Sequence, residues 1–334
     1  MTDPIDFSQC ERLPSRAYNG ANGKKIAVRY DGDVWLVKFP PSAADKLTAL
    51  SYTNSCLSEH IASSIANMIG LKAHETRLGT FTNGKTKIVC GCRDFTAGGK
   101  ILYDFCSIKN TVIDSETGGT GTELDDVLET IDLQAFVDPV FLKSHFWDIF
   151  VADAFLGNFD RHNGNWGFLY NPVTDEVQIA PVFDCGSCLF PQADETIMRS
   201  VLEDSAEREF RIFERPLSAI RQNRQKINYF AFISSMKHPD CNAALKRIAP
   251  RIRTSELRAL VIRRRSSRIY SGSFTSPCCL NGKNGFWTFP CKSCKKESAK
   301  EAEMIDNRQQ HAGGTGIPAP PVLFGIIRKS IRCL

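Results

Sequence analysis

The chain has 334 residues, 42% hydrophobic and 24% charged, with a formal net charge of +5. These are ordinary globular values; they exclude wholesale disorder, and the length suits one large domain or two lobes. The basic excess falls late, in Arg251, Arg253, Arg258 and Arg263-Arg264-Arg265, with no basic face before residue 250, so a nucleic-acid partner is not expected.

Met1 to Gln9 is polar and acidic and lacks the basic and apolar regions of a secretory signal. Lys25–Tyr30 and Val34–Phe39 are β-rich runs joined by Asp31-Gly32-Asp33, a hairpin signal, and Pro40-Pro41 ends the second run. Leu57, Ile61, Ile65 and Ile69 recur at helical spacing, and Gly70 closes that helix. Glu75–Thr82 and Thr86–Cys92 read as two further strands around Asn83-Gly84. Gly118-Gly119-Thr120-Gly121-Thr122 has the look of a phosphate loop but lacks the Gly-Lys-Ser/Thr ending, so a plain loop before a helix over Glu123–Ile131 is expected.

Val140–Leu156 is apolar on nearly every face, the pattern of a helix in the middle of a lobe. Phe141–Leu156 is broken by Lys143, His145, Asp148 and Asp153 and falls short of the roughly 20 apolar residues that cross a bilayer, so no membrane partner is expected. The expected location is the cytoplasm, with the alternative of a secreted effector exported without a cleavable signal. Two short strands follow, Trp166–Tyr170 and Val177–Ile179, and helices are expected to dominate from Asp194 to Ala249.

After about Thr254 helical periodicity is lost. Phe274–Glu297, back-translated and read one base earlier, can encode a long amphipathic helix, so the tail reads as frame-shifted and poorly ordered. Cys278, Cys279, Cys291 and Cys294 make a weak zinc signal, because adjacent cysteines chelate poorly. Most of the seven cysteines from Cys10 to Cys188 read as reduced, buried and inert; Cys185 and Cys188 are not expected to form a redox pair.

One constellation carries chemistry. Asp160-Arg161-His162-Asn163-Gly164-Asn165 supplies an Asp and, five residues on, an Asn; a hairpin then leads to Phe183-Asp184-Cys185-Gly186. Phosphoryl transfer needs a group to position the nucleophile, oxygen ligands for Mg²⁺ and cations on the phosphates. The order Asp, Asn, hairpin, Asp matches the protein-kinase layout. Upstream, Lys38 lies in the apolar run Val34–Phe39, where burial is costly unless it is paired, and Glu59 on the next helix can pair with it.

Asn-x-Asp-Arg-His-x-x-Asn followed by Ala-Pro-x-x-Asp-x-Gly-Ser resembles the HipA-like bacterial protein kinases, over roughly residues 15 to 250, and most of all their small CtkA-type branch. The resemblance implies an α+β, two-lobed kinase-like fold, with a small antiparallel β lobe bearing one helix (1–98), a mainly helical catalytic lobe (99–253) and an atypical tail (254–334). It implies that ATP and Mg²⁺ are used to phosphorylate Ser or Thr on proteins, with autophosphorylation in some members. Asp160 would be the catalytic base, Asn165 and Asp184 the metal ligands, and Lys38 the α/β-phosphate contact held by Glu59. The turn Gly20-Ala21-Asn22-Gly23 would cover the phosphates, Arg93-Asp94-Phe95 would meet adenine through its backbone, and His162 would brace the loop. An antitoxin partner is compatible with the resemblance but is not read from any residue. Two alternatives remain: a phosphatidylinositol kinase, which shares Asp-Arg-His-x-x-Asn, and a non-catalytic interaction protein on a kinase scaffold.

Overall fold

The computed structural model describes residues 5–18, 24–41 and 54–265. The Gly20–Gly23 stretch and everything beyond Arg265, including the stretch read above as frame-shifted and the late cysteines, lie outside the described residues.

The first lobe is a six-stranded sheet. Its strands are β1 (Ile5–Asp6), β2 (Glu11–Arg12), β3 (Lys25–Tyr30), β4 (Asp33–Lys38), β5 (Thr76–Asn83) and β6 (Lys85–Arg93), in the order β1-β5-β6-β4-β3-β2. All pairs are antiparallel except β1 with β5. Asp31 and Gly32 both have positive φ (51° and 78°), the conformation that a two-residue hairpin needs and that Asp-Gly accepts cheaply. One face of the sheet buries Phe7, Val28, Trp35, Val37, Phe39, Phe81 and Val89. Phe7 lies against the strand backbone at Gly79 and Gly91, where a Cβ would collide with its ring.

Helix α1 (Ser55–Met68) lies against β5 and β6. Its inner residues Ala62, Ile65, Ala66 and Ile69 join the large core of the second lobe, so α1 welds the lobes together. Gly70 (φ 86°) ends it, as its position predicts.

The second lobe is built around α4 (Pro139–Leu156), preceded by β7 (Ile101–Asp104), α2 (Phe105–Val112) and α3 (Leu124–Leu133). Asp138 caps α4 by accepting from Phe141 N, Pro139 occupies its first turn, and Gly157 in the left-handed region (φ 64°) terminates it. Ten of its residues are buried, among them Phe146, Trp147, Phe150 and Phe155. Strands β8 (Gly167–Asn171) and β9 (Glu176–Ile179) form the expected hairpin, which β7 extends to three strands. Then come α5 (Glu195–Glu203), α6 (Ser205–Glu209), β10 (Leu217–Gln222), β11 (Gln225–Asn228), α7 (Tyr229–Ser234), α8 (Pro239–Ile248) and α9 (Thr254–Arg265). Among the described residues no helix is long and apolar enough to cross a membrane.

One expectation is refined and one is corrected. Helices do dominate from Asp194 to Ala249, but β10 and β11 interrupt them as a hairpin, turned by Asn223 and Arg224 at positive φ (53° and 66°) without a glycine. Helical structure also persists past Thr254 as α9, whose Leu257 is buried in the main core while its Arg residues mask the periodicity in the sequence.

Candidate active site

The end of α4 delivers the loop that carries Asp160. Asp153, in the last turn of α4, accepts from Asn158 Nδ2 at 2.8 Å and from Arg161 Nε at 3.1 Å. Asn158 Oδ1 in turn accepts from Asp160 N at 3.1 Å. Arg161 is 5% exposed and also donates to the carbonyls of Asn165, at 2.8 Å, and Phe183. One buried guanidinium therefore ties the Asp160 loop to the residue before Asp184. The carbonyl of Asp160 accepts from His162 N (2.9 Å) and Asn165 Nδ2 (2.7 Å). With Nδ2 so used, Asn165 offers Oδ1 to a cation. His162 braces the turn, its Nδ1 accepting from Gly164 N at 3.0 Å.

Hairpin β8–β9 folds the chain back to Asp184. Backbone bonds from Val182 N to Lys72 O (2.8 Å) and from His74 N to Val182 O (3.0 Å) fix its exit against the segment after α1. Asp184 adopts φ 55°, a left-handed conformation that Asp tolerates better than most residues.

Lys38 Nζ meets Glu59 Oε2 at 2.9 Å and Asp184 Oδ1 at 2.8 Å, joining residues 146 positions apart. Glu59 is buried, and its Oε1 accepts from Cys185 N (3.1 Å) and lies 3.0 Å from His74 Nε2. Burial opposes the Lys38 ammonium, yet Asp184 and Glu59 outweigh it and hold its pKa well above the usual lysine value. Burial likewise opposes the Glu59 carboxylate, but Lys38 and His74 hold it below the usual range. Lys38 lowers Asp184 too, although that side chain is 43% exposed and opens to solvent. Asp160 goes the other way: burial raises its carboxyl, and Asp184 adds to the rise. The two carboxylates are thereby pushed apart, one staying charged beside cations and one made more basic, as a metal ligand and a proton acceptor require.

The roof of the cleft follows from strand register. Lys25 faces Lys38 across β3–β4, and Ala27 faces Leu36; Leu36 and Lys38 pair with Cys92 and Cys90 on β6. The sheet thus presents a cationic end, Lys25 and Lys38, and an apolar end, Ala27 and Leu36. Sequence reasoning missed Lys25, because only the cross-strand register reveals that it shares a face with Lys38. Burial lowers its pKa, with Asp184 acting in the opposite sense.

The predicted hinge is more constrained than expected. Arg93 N donates to Glu75 O and Asp94 N to Val34 O, so both are spent inside the sheet. The Arg93 side chain turns outward to Asp33 and Glu75. Asp94 binds Arg16 Nε at 2.5 Å and Tyr18 Oη at 2.7 Å, which ties the chain leading into the Gly20–Gly23 turn to the hinge. Of the three, only Phe95 has an N–H with no backbone partner among the described residues, and its ring lies 5.6 Å from that of Phe183.

The glycine-rich stretch 118–121 is scaffolding. Buried Lys109 donates to Gly118 O, Gly121 O and Asp126 Oδ2. Asn163 Nδ2 donates to Gly119 O and Gly121 O, bracing the Asp160 loop. Cys185 and Cys188 are buried free thiols; contact with Cys188 and the guanidinium of Arg161 lowers the Cys185 pKa, whereas burial raises that of Cys188.

The family model described as the HipA-like C-terminal domain matches residues 17–254. The chain belongs to the HipA-like family. It is 48% identical over 258 residues to the serine/threonine-protein kinase CtkA of Helicobacter pylori strain J99, a match spanning 77% of this chain and 78% of that protein. The crystal structure of a Helicobacter pylori proinflammatory kinase CtkA superposes with a TM-score of 0.73 at 48% identity, covering 77% of this chain and 86% of that one. A HipA–HipB–operator DNA complex from Shewanella oneidensis gives a TM-score of 0.40 at 17% identity over 75% of this chain and 59% of that one, too distant to argue from. This HipA-like chain is accordingly a serine/threonine protein kinase of kinase fold, which sets aside the lipid-kinase and non-catalytic alternatives.

Proposed function

We propose that this HipA-like kinase binds ATP with Mg²⁺ between its lobes and transfers the γ-phosphate to a Ser or Thr hydroxyl of a protein, itself included. The observation that carries this reading is the Lys38–Glu59–Asp184 cluster, held at 2.9 and 2.8 Å across the lobes. Ala27 and Leu36 would cover the adenine, and Phe95 N–H would donate a hydrogen bond to it. Lys38 and Lys25 contact the phosphates, and Glu59 fixes the Lys38 ammonium.

The donor set suits Mg²⁺: a carboxylate open to solvent at Asp184 and the amide oxygen of Asn165, both hard oxygens. Bound there, the ion would neutralise charge on the phosphates. Asp160 accepts the proton of the attacking hydroxyl as its oxygen bonds to the γ-phosphorus and the bond to the bridging oxygen of ADP breaks. Its raised pKa favours that role near neutral pH.

Incubation with Mg²⁺-ATP, read by mass shift on the chain and on added protein substrates, tests the proposal. Phosphate on Ser or Thr that depends on Mg²⁺ supports it. No labelling of any protein, together with no nucleotide binding, overturns it.

A further inference from the structure

The β10–β11 hairpin, unforeseen in the sequence, is fastened to the catalytic loop at both ends. Arg221 N donates to Thr122 O at 2.8 Å, and Thr122 Oγ1 donates to Ala219 O at 2.7 Å. That anchors β10 to the glycine-rich stretch which Asn163 holds from within the catalytic loop. At the other end, Tyr229 Oη donates to Asn158 O at 2.8 Å, two residues before Asp160. The hairpin therefore forms a wall beside the catalytic base.

That wall is basic. Arg221 and Lys226 are direct cross-strand partners and both are exposed. Like charges directly opposite in an antiparallel pair destabilise it, so folding alone does not account for them. Arg224 sits at the tip; its ion pair with Glu116 is 3.9 Å long between side chains 90% and 92% exposed, which leaves its charge available. Arg221 Nη1 donates to Arg224 O, a neutral acceptor, so its charge also stands. Among the described residues, the acidic groups in contact with the hairpin tip are Glu116 and Glu123, whose Oε1 accepts from Arg224 N. Lys226 stands three residues before Tyr229, whose hydroxyl is bonded to Asn158 O in the chain leading to Asp160.

We propose that the β10–β11 hairpin is the docking edge for the protein substrate, and that Arg221, Arg224 and Lys226 select acidic residues beside the Ser or Thr that is phosphorylated. This rests on the protein-kinase reading above. A peptide whose hydroxyl reaches Asp160 would meet the hairpin that Tyr229 ties to the Asp160 loop, and carboxylates flanking the hydroxyl would relieve the repulsion between Arg221 and Lys226.

The test uses two sets of short peptides with the same central Ser, flanked by Asp and Glu in one set and by Lys and Arg in the other. The full chain should prefer the acidic set by about tenfold in kcat/KM, the scale of a few exposed charge pairs, and lose the preference as salt rises. The double variant Arg221→Glu with Lys226→Glu should abolish or invert it. In parallel, labelled peptides carrying Ala at the central position are titrated by anisotropy with a non-hydrolysable ATP analogue and Mg²⁺. Tighter binding of the acidic set to the parent supports the proposal even for peptides that are poor acceptors. Equal binding of both sets, a preference for basic flanks, or an unchanged preference in the variant overturns it. Failure to label any peptide or protein, together with no nucleotide binding, would instead overturn the kinase reading, and the peptide-binding arm does not depend on turnover.

Discussion

Glu59→Gln removes one charge from the centre of the cleft and keeps the side chain's shape. In the parent, Glu59 Oε2 receives Lys38 at 2.9 Å, and Oε1 receives Cys185 N at 3.1 Å beside His74. A glutamine has one oxygen for these two positions. Whichever way it turns, its NH₂ group confronts either the Lys38 ammonium or the Cys185 N–H. Breaking a buried ion pair by removing one partner costs about 3–5 kcal/mol. Lys38 keeps Asp184 at 2.8 Å and retains some exposure, so the loss belongs at the lower end, about 3 kcal/mol. At about 2–4 °C per kcal/mol for a chain of this size, Tm should fall by about 6–12 °C. Catalysis should suffer separately. Lys38, left with Asp184 alone, is drawn toward the metal ligand and away from the phosphates, and kcat/KM should drop on the order of 10²-fold or more. Thermal melts and steady-state phosphate transfer measure the two effects. A variant that melts within about 1 °C of the parent and keeps full activity would refute the role given to this pair.

Asp160 has a raised carboxyl pKa, so its ionised form is disfavoured by folding and costs stability near neutral pH. Asp160→Asn should therefore melt at or above the parent temperature while kcat falls about 10²–10⁴-fold. For the parent, the acid limb of kcat/KM against pH should lie above the usual Asp value of about 3.9; a limb at or below that value would contradict the assignment. Lys25→Ala removes one of two cations that oppose each other across β3–β4. It should weaken ATP binding by about tenfold while leaving Tm unchanged or slightly raised, because a like-charge pair is relieved; calorimetric titration and a melt check both.

The site was legible where chemistry fixes residue type and spacing. Asp160, Asn165 and Asp184 stand out because an Asp, an Asn five residues on and an Asp after a hairpin are hard to supply otherwise. Lys38 and Glu59 stand out because a cation in an apolar strand needs a partner, and the structure joins them. What escaped reading depends on contacts between distant segments. Lys25 needs the strand register. Lys109 and Asn163 give the glycine-rich stretch its structural role; Lys109 lies in no motif, and Asn163 fills an unspecified position of the Asp160–Asn165 string. The β10–β11 hairpin turns through Asn223 and Arg224 without the glycine that marks such turns. Helix α9 hides one buried leucine among arginines. Phe7, in a polar N-terminal stretch, gains its place only because two glycines on separate strands leave room for its ring.

The most direct test of the catalytic centre is ATP titration with and without Mg²⁺ on the parent chain and on Asp184→Asn, each shown by melting to be folded. Mg²⁺ should tighten ATP binding to the parent by about tenfold or more and have little effect on the variant, since the carboxylate that holds the ion is gone. An Asp184→Asn chain that binds Mg²⁺-ATP as tightly as the parent would contradict the assignment of Asp184 to the metal.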